Sequence, residues 1–186
     1  MGVDGGAAAL CAVSWAAREC AGRGTTLVLL HALGHRGGAE PSDLEQVLAD
    51  AEAQARAAAV EAGRGGVHVV RRPERGAPAE ALVAASTAAQ LIVLGNNGAV
   101  DLAGSMLGTV GHRVAAHSRC PVVIVPAVAP AATGPGPVVV GLSPGRTGRA
   151  GREALRFALE YANRHAWPIV EVGVEDKGDL LAARGA

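Results

Sequence analysis

Aromatic side chains are nearly missing from this chain: two Trp, one Tyr and one Phe make up 2% of its 186 residues. Lysine is rarer still, with Lys177 alone among 17 basic residues that balance 17 acidic ones. With neither a basic stripe nor an aromatic ladder, nucleic-acid binding has little support. Cysteine is limited to Cys11, Cys20 and Cys120. An odd number without CxxC spacing argues against a disulfide framework or a zinc site, and the three read as buried small hydrophobes. No apolar run reaches ~18 residues, and the acidic, Gly-rich start does not read as a signal peptide. A cytoplasmic protein without a membrane span is expected.

What is present is aliphatic. Hydrophobic residues make up 49% of the chain, with alanine prominent, so stability must come from many small contacts. Val3 is the one strand-like apolar residue of Met1–Gly5. Either the first strand is much shortened or the recorded start lies downstream of a fuller one. Ala7–Arg23 reads as a helix with Leu10, Val13, Ala17 and Cys20 on its core face, stopped by Gly22 and Gly24. Thr25–Leu33 reads as a strand. His31 and His35 have metal-ligand chemistry but no third partner, so ordinary hydrogen bonding is the simpler role. Ser42 and Glu45 have capping-box spacing ahead of a helix over Asp43–Ala62. Val67–Val70 reads as a strand, Arg71–Arg75 as a solvated exit loop, and Pro78 as the opening of a helix that runs to about Ala89.

The central stretch is Leu94–Val110, LGNNGAVDLAGSMLGTV. It follows an apolar run at Gln90–Leu94 and opens a helix over Thr109–Ser118, with another strand at Pro121–Val125 beyond. Gly95, Gly98 and Gly108 allow close backbone approach or positive φ, and the free amides of a helix N-terminus favour an anion. The local physics suggests a phosphate cradle, although the same glycines could simply shape a tight strand-to-helix connection. Asp101 and Ser105 inside the loop, and His112 and His117 on its helix, read as solvated or half-buried groups. Strands alternating with helices imply a parallel sheet with ligands at the strands' carboxyl ends. No G-x-x-x-x-G-K-[S/T] or G-x-G-x-x-G occurs in the required context.

The spacing G-x2-G-x9-G-[S/T] at Gly95, Gly98, Gly108 and Thr109, between two strands, resembles the nucleotide loop of the universal stress protein family. The resemblance extends over nearly all of residues 1–126, including Gly2-Val3-Asp4-Gly5, and resumes at about Val138. It implies an α/β fold: an open, mostly parallel five-stranded doubly wound sheet of the adenine nucleotide alpha hydrolase-like kind. Its strand order would be 3-2-1-4-5, counting Met1–Gly5 as the first. It also implies roles at the site. Asp4 would lie at the adenine and ribose end, although a turn-forming Asp before Gly explains that residue nearly as well. Ala32 and Leu94 would wall the base, Gly95 and Gly98 would pass close to the ribose and phosphates, and Gly108, Thr109 and Val110 would donate to the phosphates. The implied ligand is ATP, with Mg2+ or Mn2+ supplementing amides and helix dipole because no lysine is near. Pairing of two copies through the fifth strand is implied as well.

Residues 127–137 are rich in Pro, Ala and Gly and read as a linker. After them Val138–Ser143 repeats the first strand and its turn, Glu153–His165 the first helix and Pro168–Val174 the second strand. A partial second domain is therefore expected over 138–174, a truncated βαβ repeat followed by a tail over 175–186. Ser143 stands where Asp4 stands in the first copy. Three functions suit this organisation: a non-enzymatic ATP-binding regulator working through conformation or dimerisation, a slow ATPase or phosphotransferase, and a nucleotide-free interaction module. The sequence offers no base or charge clamp for phosphoryl transfer.

Overall fold

The computed structural model describes residues 1–33, 41–96, 108–127, 136–142 and 149–173. They fall in two compact units, Met1–Ala129 and Pro130–Ala186. The first holds helices α1 (Ala7–Arg23), α2 (Pro41–Glu61), α3 (Pro78–Ala85) and α4 (Thr109–His117). Its strands are β1 (Leu27–Leu33), β2 (Val69–Arg75), β3 (Ile92–Asn96) and β4 (Val122–Pro126).

Parallel ladders join β1 to β2 and β3 to β4. Met1–Val3 lies between these two pieces. On one side Val3 N–H donates to Leu30 O (2.9 Å) and Leu30 N–H to Met1 O (2.8 Å); on the other, Gly2 N–H donates to Val93 O (3.2 Å). The first strand is reduced to one bridge, Gly2 opposite Leu30, yet it holds the central place between β1 and β3. The order across the sheet is β2, β1, Met1–Val3, β3, β4.

Helix α1 shows how sequence sets packing. Gly24, at φ 64°, stops it in the left-handed region, and Thr25 N–H turns back to Cys20 O (3.0 Å), satisfying a final carbonyl. Its buried stripe runs through Ala9, Ala12, Val13, Ala16 and Ala17. Val13 and Ala17 are buried as expected, whereas Leu10 and Cys20 are only half-buried. The rotation follows from contact with both α2 and β3, where alanines let backbones approach. The facing stripe of α2 is alike: Leu48, Ala51, Ala55, Ala58 and Ala59 are all buried.

Several expectations are corrected. Arg71–Arg75 is not a loop but most of β2, with Pro73 opposite His31. Among the described residues β2 pairs only with β1, and an edge strand tolerates proline because one row of N–H groups has no ladder partner. The exposed arginines are held to α2 and to their own strand: Arg71 pairs with Glu45 and Glu52, and Arg72 with Glu74. Helix α3 ends at Ala85, before Ala89, where the Ser86 and Thr87 hydroxyls bond back to Val83 O and Ala84 O. Strand β3 begins and ends two residues later than Gln90–Leu94, which puts Gly95 inside a strand. Cys11 is exposed, with its Sγ 3.4 Å from Ala127 O, and Cys20 and Cys120 are half-buried, so none is a fully buried hydrophobe.

The second unit contains β5 (Val138–Leu142), α5 (Arg149–His165) and β6 (Ile169–Gly173). The two strands are parallel, and α5 starts four residues before Glu153. Phe157, Tyr161, His165 and Trp167 stack along its end.

Candidate functional site

At the carboxyl ends of β1 and β3 the first unit opens into a cavity of about 380 Å³. Asp4, Ala32, Leu94, Gly95, Gly108, Thr109 and Val110 all line it. Gly98, the eighth sequence-derived candidate, lies outside the described residues, as do His35, Asp101, Ser105 and Ser143.

Each lining group is set by its element. Ladder alternation sends Leu30 and Ala32 of β1 to one side, and Leu94 of β3 faces the same space. With Leu82 of α3 and Ile124 of β4 they make an aliphatic wall; Leu30, Leu82 and Leu94 are nearly fully buried. Helix α4 brings the polar end. Its N-cap is Gly108, no side chain caps it, and its first turn holds no acidic residue. His112 N–H closes the first turn on Gly108 O (2.9 Å), so the amides ahead of it lie at the dipole's positive end.

Two glycines that look alike in the sequence differ in the fold. A Cβ on Gly95 would lie 2.3 Å from both C and O of Ala8, so the approach of α1 to β3 accounts for that glycine. A Cβ on Gly108 would meet nothing within 4 Å among the described residues. Packing demands glycine at position 95, and the described residues make no such demand at position 108.

Asp4 is exposed, and its Oδ1 accepts from Gly6 N–H (2.9 Å). That bond is the turn-forming role of an Asp before Gly, and it also fixes the carboxylate at the rim. His31 Nδ1 is 2.7 Å from Val3 O. A carbonyl only accepts, so Nδ1 carries the hydrogen and Nε2 is the acceptor of the neutral ring. His31, Gly2 and Pro78 line the cavity without having been singled out as ligand contacts. Alternation in β1 could have flagged only Leu30, beside Ala32; contributions from α3 have no local signal. Exposed His112 and His117 are outside the lining. Among the described residues no group of three His, Cys, Asp or Glu could hold a metal ion, and no helix is long and apolar enough to cross a membrane.

The Usp model, universal stress protein family, matches residues 1–126. A universal stress protein of Mycobacterium tuberculosis H37Rv is 36% identical over 133 residues, which cover 67% of this chain and 43% of that protein. One from Mycolicibacterium smegmatis is 35% identical over 131 residues, covering 67% and 44%. The chain thus spans less than half the length of these curated relatives. Among solved structures, a universal stress protein in complex with cAMP is 32% identical, with TM-score 0.57 over 69% of this chain and 94% of that one. A universal stress protein from Archaeoglobus fulgidus DSM 4304 shares the fold at 18% identity, with TM-score 0.62 over 92% of this chain and 64% of that one. On the match over residues 1–126 and these relatives, the chain belongs to the universal stress protein family.

Proposed function

We propose that the cavity between β1, β3 and α4 binds an adenine nucleotide, ATP by preference, and that the protein acts as a nucleotide-dependent regulator. The observation that carries this reading is the uncapped start of α4 at Gly108, opening on a cavity whose far wall is aliphatic. A purine suits the wall of Ala32, Leu82 and Leu94, and a polyphosphate suits the amides at Gly108, Thr109 and Val110. A cavity of about 380 Å³ is in the usual ligand range. The cAMP complex of a relative 32% identical supports an adenine ligand.

Compensation of phosphate charge falls to backbone amides, the helix dipole, the Thr109 hydroxyl and a divalent cation. Among the described residues Asp4 is the only carboxylate in the lining, so Mg2+ or Mn2+ would be held chiefly by phosphate oxygens and water, which is the usual habit of Mg2+. Turnover has less support than binding. Among the described residues His31 is the one histidine in the lining, and its Nδ1 is committed to Val3 O. Regulation would then work through conformation or pairing of copies. The outer edge of β4, half-buried over Val122–Val125 and without a ladder partner among the described residues, is the edge on offer for a homodimer.

Calorimetric titration with ATP and Mg2+ tests the reading. The native chain should bind at one site per copy, and the double variant Gly108→Val, Thr109→Val should lose binding while keeping its fold by circular dichroism. Equal affinity in that variant would place the nucleotide elsewhere.

A further inference from the structure

Among the described residues the lining of the β1–β3–α4 cavity holds neither lysine nor arginine, and one of its side chains can gain a positive charge. That side chain is His31, near the carboxyl end of β1. In its neutral form Nδ1–H donates to Val3 O at 2.7 Å. An imidazolium donates to a carbonyl equally well, so protonation keeps this bond and the ring need not move. The proton goes to Nε2, on the opposite edge of the ring, which has no hydrogen-bond partner among the described residues. Val3 precedes Asp4, so the bond also ties the ring to the backbone that carries the rim carboxylate.

The charged groups around His31 are few. The first strand contributes Asp4, whose Oδ1 accepts from Gly6 N–H. On β2, Pro73 stands opposite His31, and Arg71 and Arg75 share its face. Arg71 is paired with Glu45 and Glu52 of α2, and Arg75 is exposed. Arg72 and Glu74 pair with each other. On the α2 side, Asp43 and Asp50 line a smaller neighbouring cavity that also touches Val3. The described residues that α1, α3 and α4 bring to the lining are uncharged. The start of α4 is therefore a fixed attraction for an anion, and a charged His31 would add a second one that comes and goes with pH.

We propose that nucleotide binding in this cavity is linked to protonation of His31, so that acidification tightens it. The proposal rests on the nucleotide reading and adds how that site is regulated. Imidazole changes charge between pH 5 and 8. A polyphosphate that favours the charged ring is favoured by it in turn, by the same factor. Where lysine would hold the affinity constant over this range, histidine makes it adjustable. The proton taken up on binding comes from solvent and resides on Nε2.

The test is calorimetric titration of the whole chain with ATP and Mg2+ at pH 8.0, 6.5 and 5.5, each in two buffers of different protonation enthalpy. The native protein should bind about tenfold more tightly at pH 5.5 than at pH 8.0, and should take up part of a proton per site at pH 6.5. His31→Asn keeps an N–H where Nδ1–H stands, so it can still donate to Val3 O, and it removes the nitrogen that titrates. It should keep its fold by circular dichroism and lose both effects. His35→Asn, which alters the next histidine in the sequence, should retain both. Ionisation of the nucleotide itself is common to all three proteins and cancels in the comparison. In the native protein, moreover, the His31 ring resonance should titrate at higher pH with ATP bound than without. Equal pH dependence in native and His31→Asn protein, its loss in His35→Asn, or an unmoved His31 titration overturns the proposal and leaves nucleotide binding intact. No ATP binding at any pH overturns both readings.

Discussion

Gly95 of β3 and Ala8 of α1 touch so closely that a single methyl group on Gly95 would fall 2.3 Å from the Ala8 carbonyl carbon. The obstruction is backbone, which no rotamer change relieves. Gly95→Ala must push α1 off the sheet, an overpacking cost of about 1–3 kcal/mol or more. Because α1 also carries Ala8 and Ala9 on the cavity wall, nucleotide binding should weaken along with stability. Urea unfolding of the variant checks this; a midpoint equal to that of the native chain would sink it.

Gly108 invites the opposite test. Its φ of −59° is open to any residue, and a Cβ there meets nothing among the described residues. Gly108→Asp supplies the missing N-cap and a charge that suits the dipole, each worth about 0.5–1 kcal/mol. The same carboxylate would stand where the phosphates are proposed to sit. Stability should rise slightly while ATP affinity falls at least tenfold, the two moving apart. A cap that improves stability and leaves ATP affinity intact would remove α4 from the site.

How much of this was legible in the sequence follows from what kind of signal each part leaves. Helices α1 and α4 could be bounded closely because Gly24 and Gly108 are local punctuation, whereas α2 begins at Pro41, ahead of the Asp43 start that the Ser42/Glu45 spacing suggested. The Arg71–Arg75 strand was not, since its exposed charges read as solvent-facing and only pairing with β1 reveals it. The spacing of glycines 95, 98 and 108 pointed to one site. It could not separate Gly95, which packing requires, from Gly108, which packing among the described residues leaves free. That distinction depends on where Ala8 lies, a contact between residues 87 positions apart in sequence. Contributions from α3 to the cavity, such as Pro78 and Leu82, were invisible for the same reason.

Among its described residues the second unit has little interior, and we expect it not to stand unaided. Its buried apolar residues, among those described, are Val140, Ala158 and Ala162, while Val139, Val170 and Val172 are 61%, 43% and 44% exposed. Register puts Val139 beside Val170 and Gly141 beside Val172 on one face, with Val138 and Val140 on the other. The two strands and one helix described fall short of the three strands or covered sheet that independent stability requires. We therefore expect limited trypsin digestion to cut within 149–165 first, at Arg152, Arg156 or Arg164, and to leave a resistant fragment ending at Arg146 or Arg149, the tryptic sites that follow the first unit in the sequence. The ion pairs of Arg156 with Glu153 and Glu160 are exposed and offer little protection. Mass spectrometry of the digest decides the matter. If 136–173 persists as long as the first unit, its open valine face is covered in solution, and the reading of this segment as a partial domain without a core of its own fails.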